Sequence, residues 1–558
     1  MALTVPIPKA VPGDVWALES PSGTVTPATA VGSKFVLDDA GYSSDDTLDE
    51  AARYERKMGD SELSYYLPSR ASGVNDMYLH LGFRAPERMV RRARVRVVWS
   101  ILRNRHPLLA STIEMHDYDD VRFVYTPAHS SEQALIDADD NLEYKSDGKD
   151  ELIDSYLNGP RTLSNERLSY LIISKPPKAE ESLPSPPATP DLSESQGEDS
   201  VSREYHFLMC AAHFLGDGMA LHAFANDFFG LLGSDKTVMQ LEAMMHLEWV
   251  ERWGKLSSDE ASKLPNAMEE NFASSGGKFR RVVERVDFQR SQEKLIGGQT
   301  FPRQSHAERH TVVPTVPFDA ERTKKMLKNC KAHGVSISAA LFAICNIAWA
   351  RISAKHDLPM LMYSALNLRP YFTAKPLHDS YWYLAVGYFN VILPTFLPTS
   401  TDVAQTFWHR ARLAKEQSTR AAKSRMVASR SLEMARERGE RARAWGKEDD
   451  EKERGTWVKP APSPKPTGPA RAPSSALLGL SLLGNLDGIY KHANFPSIEM
   501  HTLTTGSRQR HGGMLLFGYT FAGKLWVSLG YDENGFDKDT VDTFWANVLG
   551  SIDELLVN

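Results

Sequence analysis

The sequence predicts an α/β (α+β) chain of two lobes, each a mixed sheet covered by helices, and three observations predict it. The chain has 558 residues, more than one compact core accommodates, so length favours two domains or lobes. A buried strand, a tight turn and an amphipathic helix follow one another between Tyr205 and Leu232. A second series, helices and then strands, runs from Phe318 to Phe396. The apolar content of 42% with 24% charged residues is that of a globular protein able to bury a large interior.

In chain order, Pro86 to Arg103 reads as a helix, because Pro86 suits a first turn and Met89, Ala93, Val97 and Ile101 recur four apart. His106-Pro107 ends it. The intervening Arg91, Arg92, Arg94 and Arg96 are a solvated helix face rather than a phosphate site. Leu168 to Ser174 and Tyr205 to Ala212 are of strand length and apolar on both faces, as neighbouring buried strands are. Between them, about 175–203 is dense in Pro, Ser, Glu and Asp and is expected to be a flexible surface insertion, since it buries too little to offset the entropy of ordering. From Met219 to Leu232, Leu221, Phe224, Phe228 and Leu231 share one side of a helix.

The first lobe is assigned to 1–310 and the second to 311–558. Phe318 to Ile352 is helical and includes the apolar run Ala339 to Ala350, and strand-like Met360 to Leu368 and Tyr388 to Phe396 follow. About 420–475 carries a charged helix, begun near Asp402 and reaching Arg443, and then a proline-rich connector from Lys459 to Pro473 that forbids helix. Leu477 to Leu483, Gly513 to Tyr519 and Lys524 to Tyr531 are strands, the last two joined by a turn at Phe521-Ala522-Gly523. An amphipathic helix from Lys538 to Leu556 closes the chain.

A net charge of -6 exerts no global pull toward nucleic acid or an anionic membrane. Cys210, Cys330 and Cys345 are odd in number and lack the spacing of a disulfide scaffold, which fits a reducing compartment. Met1 to Leu18 lacks the features of a signal peptide, and no run reaches the roughly 18 apolar residues of a membrane span. A cytoplasmic monomer is expected.

The chemistry-bearing stretch is Ala211-Ala212-His213-Phe214-Leu215-Gly216-Asp217-Gly218. A histidine directly after a buried strand is poised to project from a tight connection into a cleft, with Gly216 and Gly218 expected to supply backbone angles closed to other residues. Imidazole, with an unperturbed pKa of about 6.5, takes a proton from a hydroxyl or amine near neutral pH and returns it to a leaving thiolate. Asp217 either orients the imidazole, as in a triad, or pairs with a distant arginine and holds the turn rigid. Zinc is disfavoured at His206, Cys210 and His213, because the first two share a strand face, the third points oppositely and no fourth ligand follows at the usual spacing. Gly479 to Leu483 lacks the second glycine of a nucleophile elbow, and no phosphate or dinucleotide loop is present, so no cofactor is expected.

The stretch around His213 resembles the His-x-x-x-Asp-Gly signature of the thioester-dependent acyltransferase superfamily, which includes BAHD acyltransferases, fungal alcohol and trichothecene O-acetyltransferases and nonribosomal peptide synthetase condensation domains. Arg105 to Leu109, Asn367-Leu368-Arg369-Pro370 and Leu480 to Gly484 resemble further segments of that superfamily. The likeness implies two chloramphenicol-acetyltransferase-like lobes with an active-site channel between them, donor entering from one face and acceptor from the other. It implies His213 as general base, Asp217 and Gly218 as support, and Arg369 as the partner of Asp217. Ser481, Gly484 and Asn390 are the candidate oxyanion or substrate contacts. Ala212 stands where condensation domains have a first histidine, and the Asp-Phe-Gly-Trp-Gly motif of plant enzymes is absent, so the fungal O-acyltransferase branch fits best. Acyl-CoA is then a co-substrate and a small-molecule alcohol the acceptor. Two alternatives are a free-standing condensation-type N-acyltransferase using carrier-protein thioesters and a non-catalytic binding module of the same fold.

Overall fold

The computed structural model describes residues 52–176, 201–254, 263–273, 276–304, 308–374, 377–400, 402–460 and 472–558. The insertion expected at about 175–203 and the proline-rich connector at 459–473 lie for the most part outside the described residues. The strands are β1 (Tyr54–Lys57), β2 (Met77–Pro86), β3 (Thr112–Met115), β4 (Val121–Tyr125), β5 (Leu142–Lys145), β6 (Ser169–Ser174), β7 (Ser202–Ala211), β8 (Thr311–Val312), β9 (Thr315–Phe318), β10 (Met360–Asn367), β11 (Val386–Leu393), β12 (Ala476–Asn485), β13 (Glu499–Ser507), β14 (Met514–Phe521) and β15 (Lys524–Asp532).

They form two main mixed sheets and a small antiparallel one of order β1-β4-β3. The first sheet has the order β13-β2-β7-β6-β5, antiparallel except where β5 lies parallel to β6. In the second, of order β11-β10-β12-β14-β15-β8 with β9 also on β15, the two pairings made by β12 are parallel. The two apolar runs around residues 170 and 208 pair as β6 and β7, with Leu171 opposite Met209 and Ile173 opposite Phe207. Helix Gly218–Leu232 lays Phe224, Phe228 and Phe229 into the core beside Phe207. In the second lobe, helix Ile337–Ala350 is buried at every position from Ala339 to Ala350. No single described helix is long and apolar enough to cross a membrane.

Several expected boundaries change. The helix expected over Pro86 to Arg103 is two, Glu87–Val90 and Arg92–Arg105, because Arg91 is extended at φ -61°, ψ 140°. Arg94 is not on a solvated face: it is buried, and donates to the carbonyls of Leu232 at 2.8 Å and Ser234 at 2.7 Å. It thereby satisfies the carbonyl end of the helix that follows His213. The long charged helix is also two, Val403–Ala422 and Val427–Glu453, and at the break the Ser424 hydroxyl accepts from the Met426 amide. The terminal helix ends at Ile552 and a π-turn takes over. The hairpin turn at Ala522-Gly523 has both residues at positive φ, 51° and 70°, the conformation a two-residue turn between twisted strands requires.

One element crosses the expected boundary at residue 310. β13, whose residues Glu499 to Ser507 show no apolar run, returns to the first lobe and pairs with β2, Leu503 opposite Leu81. The lobes are joined a second time by helix Asp60–Ser69 against helix Val427–Glu453. A Cβ at Gly439 would stand 2.5 Å from an Asp60 carboxylate oxygen, so this close approach needs glycine. Arg443 with Asp60 at 2.8 Å and Arg70 with Asp450 at 2.8 Å clamp the same contact.

Buried imidazoles make the fold acid-sensitive, His222 and His106 among them. Burial pushes His222 down to about 3, and burial followed by Arg252 and Arg105 pushes His106 down to about 3. Both are neutral when folded, whereas an unfolded histidine takes a proton below about 6.5. The stability they contribute is therefore complete above about pH 6.5 and is lost as pH falls toward 3, at about 1.4 kcal/mol per pH unit for each group. Denaturant midpoints measured from pH 7 to pH 4 should fall, and His222→Gln should flatten that fall.

Candidate active site

β7 ends at Ala211, and Ala212 donates its amide to the Leu168 carbonyl at 3.0 Å, so the chain leaves the sheet still tied to it. His213–Leu215 is one turn of 3-10 helix, Gly216 is extended at φ 179°, and Asp217 caps helix Gly218–Leu232. Neither Gly216 nor Gly218 lies in the left-handed region, contrary to expectation. At Gly216 the requirement is space: a Cβ there would stand 3.0 Å from a Trp382 ring carbon and 3.1 Å from Ala220 Cβ, whereas one at Gly218 would approach Leu483 at 3.3 Å.

The tight turn folds the imidazole back on its own loop. His213 Nδ1 lies 3.0 Å from the Gly216 carbonyl oxygen. A carbonyl only accepts, so Nδ1 carries the proton and the lone pair resides on Nε2. The ring is half-buried and stacks on Tyr65 of helix Asp60–Ser69, centroids 4.3 Å apart and planes at 25°. It borders a cavity of about 400 Å³ whose walls come from both halves of the chain, among them Tyr65 and Asn75 from the first and Tyr363, Arg438 and Leu515 from the second.

Asp217 is buried and makes no hydrogen bond to His213. Its carboxylate accepts from the amides of Met219 at 3.1 Å and Ala220 at 3.2 Å, the pattern of a helix N-cap. It also accepts from Arg369 Nη1 at 3.0 and 2.8 Å and from the Ala385 amide at 3.0 Å. Arg369 Nη2 donates to the carbonyls of Tyr381 at 3.1 Å and Tyr383 at 3.0 Å, so the guanidinium pins the 381–385 segment to the same carboxylate. Of the two roles open to Asp217, the geometry is that of the arginine-paired brace.

The other expected contacts are less close to the imidazole. Ser481 is buried on β12 between Gly479, where a Cβ would strike the Tyr363 ring, and Leu483, whose side chain a Cβ at Gly218 would approach. It is not among the side chains lining the His213 cavity. Gly484 sits at a register shift between β12 and β14 with φ 71°, so its glycine serves the bulge. Asn390 lines a different cavity, of about 190 Å³.

What the sequence did not signal is the cluster beside the imidazole. The hydroxyls of Tyr65 and Tyr388 are hydrogen-bonded to each other, and the Arg438 guanidinium lies 4.9 Å from the first ring and 4.6 Å from the second. Burial opposes the Arg438 charge, yet Tyr388 and Tyr65 more than offset it and hold its pKa above the ordinary value. Tyr388 borders the smaller cavity and Tyr65 the larger, so the joined hydroxyls stand between the two. No motif could reveal this, because the three residues come from a first-lobe helix, β11 and the charged helix.

Two measurements test the brace and the turn. Asp217→Ala leaves the partly buried Arg369 charge without its partner and uncaps the helix that follows, and should lower unfolding free energy by about 1–3 kcal/mol in denaturant titrations. Gly216→Ala should displace the carbonyl that holds Nδ1, and nitrogen NMR of His213 should then show a mixture of tautomers in place of the Nδ1-protonated form.

No protein-family model and no curated protein sequence matches the chain. Solved structures do. Trichothecene 15-O-acetyltransferase TRI3 from Fusarium sporotrichioides superposes with a TM-score of 0.66 at 11% identity, over 89% of this chain and 95% of that one. The first condensation domain of the CDA synthetase gives 0.53 at 10% identity, over 91% and 97%. The epimerization domain from the third module of tyrocidine synthetase B gives 0.52 at 12% identity, over 90% and 99%. At these identities the likeness is one of fold: the chain has the two-lobed, chloramphenicol-acetyltransferase-like architecture of these proteins, with His213 on the wall of a cavity between its lobes.

Proposed function

We propose that the protein is an O-acyltransferase that moves an acyl group, acetyl for preference, from acyl-CoA to a hydroxyl of a secondary metabolite or glycolipid. The observation that carries this reading is the His213 side chain, with Nδ1–H committed to the Gly216 carbonyl and its ring on the wall of the inter-lobe cavity. The similarity in fold to trichothecene 15-O-acetyltransferase supports the choice of donor and acceptor class.

In this mechanism both substrates bind together and no acyl-enzyme forms. Nε2 takes the proton of the acceptor hydroxyl as its oxygen attacks the thioester carbonyl, and the negative charge passes to the carbonyl oxygen. Collapse of the tetrahedral intermediate breaks the carbon–sulfur bond, and the imidazolium returns its proton to the departing thiolate, giving ester and free thiol. Asp217 does not touch the imidazole and acts through the loop. The two cavities on either side of the Tyr65–Tyr388 pair are the approaches for the two substrates. Three buried, unpaired cysteines agree with a cytoplasmic setting.

Incubation with a panel of acyl-CoA donors and extracted metabolites, read by mass spectrometry, should show an acyl mass gain. His213→Ala should reduce turnover by at least about a thousandfold while leaving the circular dichroism spectrum unchanged. A folded His213→Ala protein with near-normal transfer would sink the mechanism. Competition between acyl-CoA and an acylated carrier protein separates this reading from a condensation-type one.

A further inference from the structure

The cavity that reaches His213 carries an excess of positive charge. Three arginines, Arg438, Arg441 and Arg510, line it, against a single carboxylate, the exposed Asp449. Arg438 is buried and engaged by the two tyrosines. Arg441 follows on the same helix, half-buried, its guanidinium 5.9 Å from the ring of Trp445, which also lines the cavity. Arg510 comes from the loop between β13 and β14, is exposed, and has no ion-pair partner among the described residues.

These guanidiniums feel one another. The pKa of Arg441 is lowered by burial and, against the opposing effect of Glu437, by Arg438 and Arg510. That of Arg303, which donates to the Gly512 carbonyl of the same loop at 2.9 Å, is lowered by burial and by Arg510. Like charges held near one another in a half-buried cleft raise the energy of the empty site, and an anion placed among them removes that repulsion. Guanidinium groups suit this role because their forked donors match the oxygens of phosphate and carboxylate.

We propose that the arginine-lined part of this cavity binds an anionic group, phosphate or carboxylate, carried by one of the two substrates, with Arg441 and Arg510 as its ligands and Trp445 packing against the attached skeleton. That the occupant is a substrate of acyl transfer rests on the function proposed above. The test is equilibrium binding, so a failure of catalysis by His213 would leave its outcome readable.

Isothermal titration of the full chain and of the R441Q/R510Q double variant is carried out with CoA, with pantetheine, which lacks the nucleotide phosphates, and with glycerol 3-phosphate as an anionic alcohol. If the anion is on the donor, CoA binds at least about tenfold more tightly than pantetheine, and the double variant abolishes the difference. If it is on the acceptor, CoA and pantetheine bind alike, while glycerol 3-phosphate binds in a salt-sensitive manner that the double variant loses. The proposal is overturned if CoA shows no advantage over pantetheine and glycerol 3-phosphate does not bind. It is equally overturned if a double variant with an unchanged circular dichroism spectrum keeps the wild-type affinities.

Discussion

The ion pair between buried Asp217 and half-buried Arg369 is the interaction on which the rest of the site depends. One carboxylate caps the helix after the His213 turn, takes both Arg369 contacts and accepts from Ala385, so a loop of the first lobe and two segments of the second meet on two oxygen atoms. A charge pair taken from water is stabilising only when its remaining hydrogen bonds are satisfied. Here they are, with the arginine spending its other terminal nitrogen on Tyr381 and Tyr383. Replacing the pair with hydrocarbon could preserve stability, but it would uncap the helix and untie the 381–385 segment from the loop. The pair sets geometry more than it supplies energy.

Given that brace, the histidine needs little else. The turn brings the Gly216 carbonyl to Nδ1, which selects the tautomer, and the stacked Tyr65 ring covers one face of the imidazole. Tyr65 is itself held by Tyr388 and Arg438, so first-lobe helix, second-lobe strand and inter-lobe helix contact converge beside one imidazole. The close packing at Gly439 and the return of β13 to the first sheet keep the lobes at the spacing this convergence requires. A cavity between lobes tied at several points is a preorganised one, and preorganisation is what transfer between two bound substrates demands.

Much of the fold was legible because the apolar runs are strong and locally periodic. The paired strands around Leu171 and Met209, the helix after Asp217, the buried helix from Ala339 to Ala350 and the Ala522-Gly523 hairpin all follow from local pattern and turn chemistry. Where local pattern was weak, reading failed. β13 is largely polar and is a strand only because β2 offers it an edge, and Arg94 looks like a surface cation until the helix end it caps is brought beside it. Gly216 was assigned to unusual backbone angles, whereas the close approach of Trp382, far off in sequence, and of Ala220 is what crowds a side chain there.

By itself the sequence determined the position of the histidine after a buried strand and the aspartate four residues on, because each is a matter of residues within one or two elements, and chain length with two series of elements determined the two-lobed class. The tertiary structure decided what those residues touch. It made Asp217 a brace instead of a triad member, put Asn390 in a separate cavity, and assembled Tyr65, Tyr388 and Arg438 beside His213 from three distant segments. Contacts between residues hundreds of positions apart depend on how sheets and helices pack, and packing leaves no trace in the local order of residues.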